Sequence, residues 1–233
     1  MWERMDREAE INVMRYEIDP SVEAFTAGRN TELPYEVIQS HQIHGDGIVV
    51  VNDRNTIRKD LQGIDALITN LVDCPIAVRT ADCVPILLYD PVKKVVAAVH
   101  SGWRGTVLRI VNKVIGNMNE LFGSNPIDLY AVIGPSISVN SFSVHDDVRS
   151  AFVNASFPMD IICKSSGSDT CLIDLWKANK WLLETGGVKP TNIQTAGICT
   201  FEHHDEFYSA RYEHNNKCGR NINVIRIKPI CGA

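Results

Sequence analysis

The 233-residue sequence contains no C-x-x-C pair, no H-x-H pair and no apolar run long enough to cross a bilayer. Seven scattered cysteines, an odd number without paired spacing, do not read as a disulfide framework or a compact zinc finger. Positive charge is in the minority: 23 Lys and Arg stand against 28 Asp and Glu, a net charge of −5. That balance argues against nucleic-acid and anionic-membrane partners. It leaves room for a small anionic substrate at a locally basic site. The first nineteen residues, "MWERMDREAEINVMRYEID", are charged and lack the apolar segment of an export signal. Free thiols in a reducing cytoplasm are therefore expected.

What is present is an ordinary globular composition, 45% hydrophobic and 22% charged. The length suits one large domain or two fused halves, and the absence of linkers, low-complexity tracts and repeats favours a single domain over 1–233. Apolar runs predict strands near 12–18, 35–43, 47–52, 65–70, 75–80, 84–89, 95–100, 128–134, 193–199 and 222–228. Helical spacing predicts helices over 105–121, 144–153 and 174–185. The last opens on Asp174, a good N-cap, and closes before Gly186-Gly187. Interspersed strands and helices imply a mixed α/β or α+β architecture.

Three positions share a local grammar. His44 in "HQIHGDGIVVV" precedes a glycine turn and a β-branched run; Cys83 in "RTADCVPILLYDP" lies between apolar runs; His100 in "VVAAVHSGWRG" ends one. A thiolate and two imidazoles suit zinc, and three ligands leave one tetrahedral position open, as in catalytic sites. Spacing alone leaves Cys83 open as a core thiol, His44 as a turn residue and His100 as a buried histidine. Asp65 and Asp82 are candidate acid–base groups, partners that orient the ligands, or turn residues.

Arg104 sits at the expected start of the 105–121 helix. It is read either as a structural ion pair or as a phosphate clamp acting with the amides after Gly105. Trp103 either stacks on a planar ligand or belongs to the core. Downstream, Tyr208, Ser209 and Arg211 precede the polar segment "EHNNKCGRN", which reads as a loop displaying polar side chains. Tyr208 and Arg211 are expected to contact substrate. His203 and His204 point to opposite faces of an extended chain and read as surface residues.

The ordered motifs "QIHG", "DALIT", "TADCVPILLYDP", "VAAVHSGWRGT", "IGPSIS" and the C-terminal "CT…GR…VIRI" resemble the laccase-domain family, also called the multicopper polyphenol oxidase or YfiH family. The resemblance spans about residues 35–233. It implies a mixed α/β fold, two sheets between helical layers, and zinc held by His44, Cys83 and His100. It also implies phosphorolysis of purine nucleosides (adenosine, inosine, guanosine and methylthioadenosine), with adenosine deamination as a second activity. The sequence departs from the family pattern in "FTAGRNTELPYE", where Arg29 stands for the family arginine, in "CTFE", where Glu202 takes the last place, and in "VNSFSV".

Phosphorolysis needs a held phosphate and a stabilised leaving base, a task for fixed cations and dipoles. His44, Cys83, His100, Arg104 and Asp82 are the expected catalytic set. Purine nucleosides and phosphate are the expected partners, with zinc as cofactor and copper as a possible occupant. A copper laccase would need many histidines in H-x-H pairs. A cysteine hydrolase would use Cys83 as nucleophile with His44 or His100 as base. A non-catalytic protein would bind nucleoside without turnover.

Overall fold

The run Val95–Val99 is apolar at every position because it is buried on both faces. Val95, Ala97 and Val99 join one hydrophobic cluster and Val96 and Ala98 join another. A strand with two buried faces shows no polar alternation. The same holds for Val84–Tyr89, where Val84, Ile86 and Leu88 face the first cluster and Leu87 and Tyr89 the second.

The computed structural model describes residues 13–56, 61–165, 170–214 and 218–229. In chain order the first strands are β1 (Val13–Arg15), β2 (Val22–Ala27), β3 (Ile38–Gln39), β4 (Ile48–Val50), β5 (Ala66–Thr69), β6 (Ile76–Thr80), β7 (Val84–Asp90) and β8 (Val95–Ser101). Helices α1 (Trp103–Val107) and α2 (Ile110–Phe122) follow, then β9 (Tyr130–Ile133), β10 (Ser143–Val144), α3 (Asp146–Asn154) and α4 (Met159–Ile162). The chain continues through β11 (Cys163–Ser165), β12 (Cys171–Ile173), α5 (Leu175–Thr185), β13 (Ile193–Thr195), α6 (Ala210–Glu213) and β14 (Asn221–Ile227).

A six-stranded mixed sheet runs β13-β9-β7-β8-β5-β4, and a five-stranded sheet runs β1-β2-β14-β6-β3. The first cluster lies between the six-stranded sheet and α2 and α5, through Ile110, Val114, Met118, Leu175 and Leu182. The second lies between the two sheets, where Val22, Ile76, Val78 and Ile225 meet Leu67, Leu87 and Val132. β10, β12 and β11 form a small third sheet.

Three expectations need correction. The helix over 105–121 is two helices, broken at Arg109 with φ 58°. The apolar periodicity continues across the break, but Arg109 is anchored elsewhere. Its guanidinium donates to the Ala155 carbonyl and lies over the Phe157 and Trp181 rings. The strand over 35–43 shrinks to Ile38–Gln39. Beyond it the Gln42 side chain takes over the pairing, donating to the Arg79 carbonyl and accepting from the Arg79 N–H. The strand over 193–199 stops at Thr195, before Gly197 with φ 68°. β2, β10, β11, β12, α4 and α6 were not expected from the sequence. Asn12, the start of the expected 12–18 strand, lies outside the described residues.

A buried polar knot joins α5 to the turn after β8. Asn179 accepts from Ser101 and donates to Thr106 and to the Leu175 carbonyl. All three polar side chains are fully buried. Asn179→Ala is expected to cost about 1–3 kcal/mol, the scale for stranding buried hydrogen-bonding groups. Urea denaturation measures it, and an unchanged midpoint would contradict the role assigned to the knot.

Candidate metal centre

His44, Cys83 and His100 reach one point from three separate segments. Their ligand atoms all lie within 4.8 Å of one another. His44 belongs to the loop after β3 and has φ 64°. The backbone N–H groups of Ile43, His44 and Gly45 all donate to the Asp65 carboxylate, at 3.2, 3.0 and 2.9 Å. This three-amide grip holds a left-handed turn that histidine does not favour by itself. Cys83 follows Asp82, which has φ 85° and turns the chain from β6 into β7. His100 lies one residue from the end of β8 and is 3% exposed.

Asp65, fully buried, also pairs with His100 Nδ1 at 2.7 Å. The carboxylate assigns the proton to Nδ1 and turns Nε2 toward Cys83 and His44. A carboxylate behind a ligating histidine is the usual outer support of a metal site. Burial pushes the Asp65 carboxyl up, but the His100 bond and the amide bonds outweigh it and hold it below its usual range.

The electrostatics favour a ligating sulfur. Burial would raise the Cys83 thiol, but the charges and hydrogen bonds of His100 and His44 bring it down to about 6. Burial would lower His100, but the Cys83 thiolate and the Asp65 carboxylate raise it to about 9. A thiolate–imidazolium pair therefore stands ready, and a metal ion displaces the imidazolium proton. Gly102 closes the cradle. A Cβ there would lie 2.8 Å from Cys83 Sγ and 3.5 Å from His44 Cδ2. The soft thiolate, the two imidazoles and this clearance fit a zinc ion.

The three ligands border a cavity of about 530 Å³, lined also by Ser40, His41, Gln42, Arg79, Thr80, Ala81, Ala210, Cys218 and Arg220. The volume is in the range that encloses small-molecule ligands. Sequence reasoning did not select Ser40, His41, Gln42, Arg79, Cys218 or Arg220. A signal existed for Arg79, the lone charge inside the apolar strand "IAVRT".

Other selected residues lie elsewhere. Arg104 is exposed, rests over the Trp103 ring at 4.3 Å and is not part of the cavity wall. The amide of Thr106 is bound within the helix to the Gly102 carbonyl, so it does not face an anion. Asp82 does not point at the ligands. Its carboxylate accepts from Thr200 Oγ1 and from the Arg211 N–H, both at 2.7 Å, and so fixes the turn that carries Cys83. The Arg211 guanidinium donates to the Ser143 carbonyl and lies over Phe142. Tyr208 packs between the Arg29 guanidinium, at 4.4 Å, and Gly219, outside the cavity wall. Arg29 also binds Glu213. His204 stacks on Tyr212 and His203 sits beside Glu206.

A family model described as multi-copper polyphenol oxidoreductase laccase matches residues 21–228. The chain belongs to this family. Within the laccase family, a purine nucleoside phosphorylase of Bacteroides thetaiotaomicron is 38% identical over 204 residues, 84% of this chain and 75% of the relative. Adenosine deaminase RL5, from an unknown prokaryotic organism, is 37% identical over 183 residues, 76% of this chain and 70% of the relative. The crystal structure of a Bacillus licheniformis hypothetical protein, YfiH, superposes with a TM-score of 0.87 at 26% identity, over 95% of this chain and 98% of that one.

Two outcomes follow for this laccase-family centre. In metal-free protein, alkylation of Cys83 by iodoacetamide rises with pH through a midpoint of about 6, because the thiolate is the nucleophile and persists above that value. A midpoint near the ordinary thiol value would contradict the pairing with His100. Asp65→Asn removes the charge behind His100 and should weaken zinc binding by about 10- to 100-fold in competition with a chelator. Wild-type affinity in that variant would remove Asp65 from the account.

Proposed function

We propose that this chain is a zinc-dependent purine nucleoside phosphorylase that also deaminates adenosine at the same centre. The observation that carries the reading is a His44–Cys83–His100 ligand set within 4.8 Å, bordering a cavity of about 530 Å³. A three-residue set leaves a position open to substrate or water. Relatives named for phosphorolysis and for deamination support the same reading. When bound, zinc supplies Lewis-acid polarisation and a water of lowered pKa.

The remaining work falls to the chain. Asp65 holds the His100 Nδ1 proton, so the imidazole cannot rotate away or present the wrong tautomer. The cavity wall offers Ser40, Gln42 and Thr80 as neutral donors and acceptors for sugar hydroxyls and base edges. Its basic residues face a reaction in which negative charge grows on phosphate and departing base.

Two other readings separate cleanly. Among the described residues, His44, Cys83 and His100 form the one cluster of three or more potential ligands. This does not favour a polynuclear copper oxidase. The Cys83–His100 pair, with its thiol brought down to about 6, favours a cysteine hydrolase as second reading. A hydrolase needs no metal.

Metal-replete protein is incubated with adenosine, with and without inorganic phosphate, and products are separated chromatographically. Adenine and ribose 1-phosphate are expected only with phosphate, and inosine with or without it. Chelation is expected to abolish both. No phosphate-dependent base release from adenosine, inosine, guanosine or methylthioadenosine would overturn the phosphorylase. Activity that survives chelation and dies on alkylation would move the assignment to the hydrolase.

A further inference from the structure

Tyr208 stands outside the cavity wall, yet it is tied to two stretches of that wall. Ala210 follows it by two residues. Cys218 and Arg220 flank Gly219, and the Tyr208 ring is pressed against Gly219. A Cβ on Gly219 would fall 2.3 Å from Tyr208 Cζ and 2.4 Å from Cε1. Non-bonded carbons sit about 3.5–4.0 Å apart, so a side chain at 219 and the ring exclude each other. Gly219 is not among the glycines of positive φ, so no left-handed conformation calls for a glycine there. The ring, not the local backbone, demands it.

The ring has little room to retreat. The Arg29 guanidinium lies over it, 4.4 Å from its centre. Arg29 is itself tied to the Glu213 carboxylate at 2.6 Å and donates to the His204 carbonyl at 3.1 Å. The Tyr208 hydroxyl donates to the Asn30 side chain at 3.3 Å. The backbone is held as firmly. The fully buried Asn221 amide accepts from the Tyr208 N–H at 2.8 Å and donates to the Tyr208 carbonyl at 2.9 Å. This two-bond clasp joins the chain before Ala210 to the start of β14, where Asn221 pairs with Thr80 of the wall. Beyond Gly219, the Arg220 guanidinium folds back onto the Cys218 and Gly219 carbonyls at 2.5 and 2.9 Å. Residues 218–220 thus form a compact bracket that the ring can hold as a unit.

We propose that Tyr208 is a positioning residue: its ring, seated on Gly219 under the Arg29 guanidinium, sets the place of the Cys218–Arg220 stretch of the cavity wall. It shapes what the cavity binds without touching the ligand. Its effect on substrate rests on the phosphorylase reading, but its hold on the wall does not.

The reporter is the Cys218 thiol, 8% exposed in the wall. Zinc-loaded protein is treated with N-ethylmaleimide under native conditions, and labelling of Cys218 is followed by mass spectrometry. Tyr208→Ala is expected to speed labelling by roughly 2- to 30-fold, the range for losing one ring–guanidinium contact. Tyr208→Phe keeps the ring and should label as wild type. Gly219→Ala should also speed labelling, because the methyl group drives the ring off. In the Tyr208→Ala background the same glycine substitution should add less than about twofold, since the methyl group meets no ring. A second cycle uses Arg29→Met, which lets the ring retreat and should likewise soften Gly219→Ala. Zinc content should stay stoichiometric throughout. The KM for adenosine should rise in Tyr208→Ala by roughly 10- to 100-fold, with kcat much less affected, the scale of a wall misplaced by about 1 Å. Gly219→Ala that is equally harmful with and without the ring, or Tyr208→Phe that labels like Tyr208→Ala, overturns the role of the ring. Coupled labelling with an unchanged KM makes Tyr208 purely structural and overturns the positioning role. Coupled labelling without turnover of any nucleoside keeps Tyr208 as the prop of the wall and overturns the phosphorylase.

Discussion

One buried carboxylate organises the centre. Asp65 accepts from three consecutive backbone amides and pairs with His100 Nδ1. A fully buried charge is tolerable only when it is saturated with partners. Asp65 is saturated by the groups that the site must position. Its amides shape the turn of His44, and its imidazole partner is His100. Two of the three candidate ligands thus share one support. The third, Cys83, is fixed by a different aspartate, Asp82, through Thr200 and the Arg211 backbone.

The sheets turn this local arrangement into a rigid frame. β8 is sealed between helices on one side and the five-stranded sheet on the other. Its end cannot shift without disturbing both clusters, so His100 is delivered at a fixed height. β7 pairs with β8 along its full length, Val84 opposite Ser101, which sets Cys83 beside the residues after His100. Gly102 then has to lack a side chain, because Cys83 Sγ occupies that space. The tight core and the electrostatic site are one construction.

The three candidate ligands, which the structure brings within 4.8 Å of one another, could be picked out in the sequence because each lies beside an apolar run, a local pattern. The cavity wall was less legible because it depends on pairing across the chain. Arg220 reaches Arg79's neighbourhood only through the β14–β6 register, over more than a hundred residues. Arg104 looked better placed because the helical period runs unbroken through Arg109. The break there depends on Ala155, Phe157 and Trp181, which no local pattern announces. Strand β2 was missed for a related reason. "VEAFTA" carries a glutamate and is short, and it becomes central only by pairing with β1 and β14. Tyr208 and Arg211, expected to contact substrate, pack on Arg29, Gly219 and Phe142 and stand outside the cavity wall.

The central claim is that His44, Cys83 and His100 hold one zinc ion, with sulfur as a ligand. X-ray absorption at the zinc edge of the purified protein tests it most directly. The account predicts one sulfur at about 2.3 Å and imidazole nitrogens at about 2.0–2.1 Å, with the sulfur shell lost in Cys83→Ala. A zinc shell made only of nitrogen and oxygen, or one unchanged in Cys83→Ala, would contradict it.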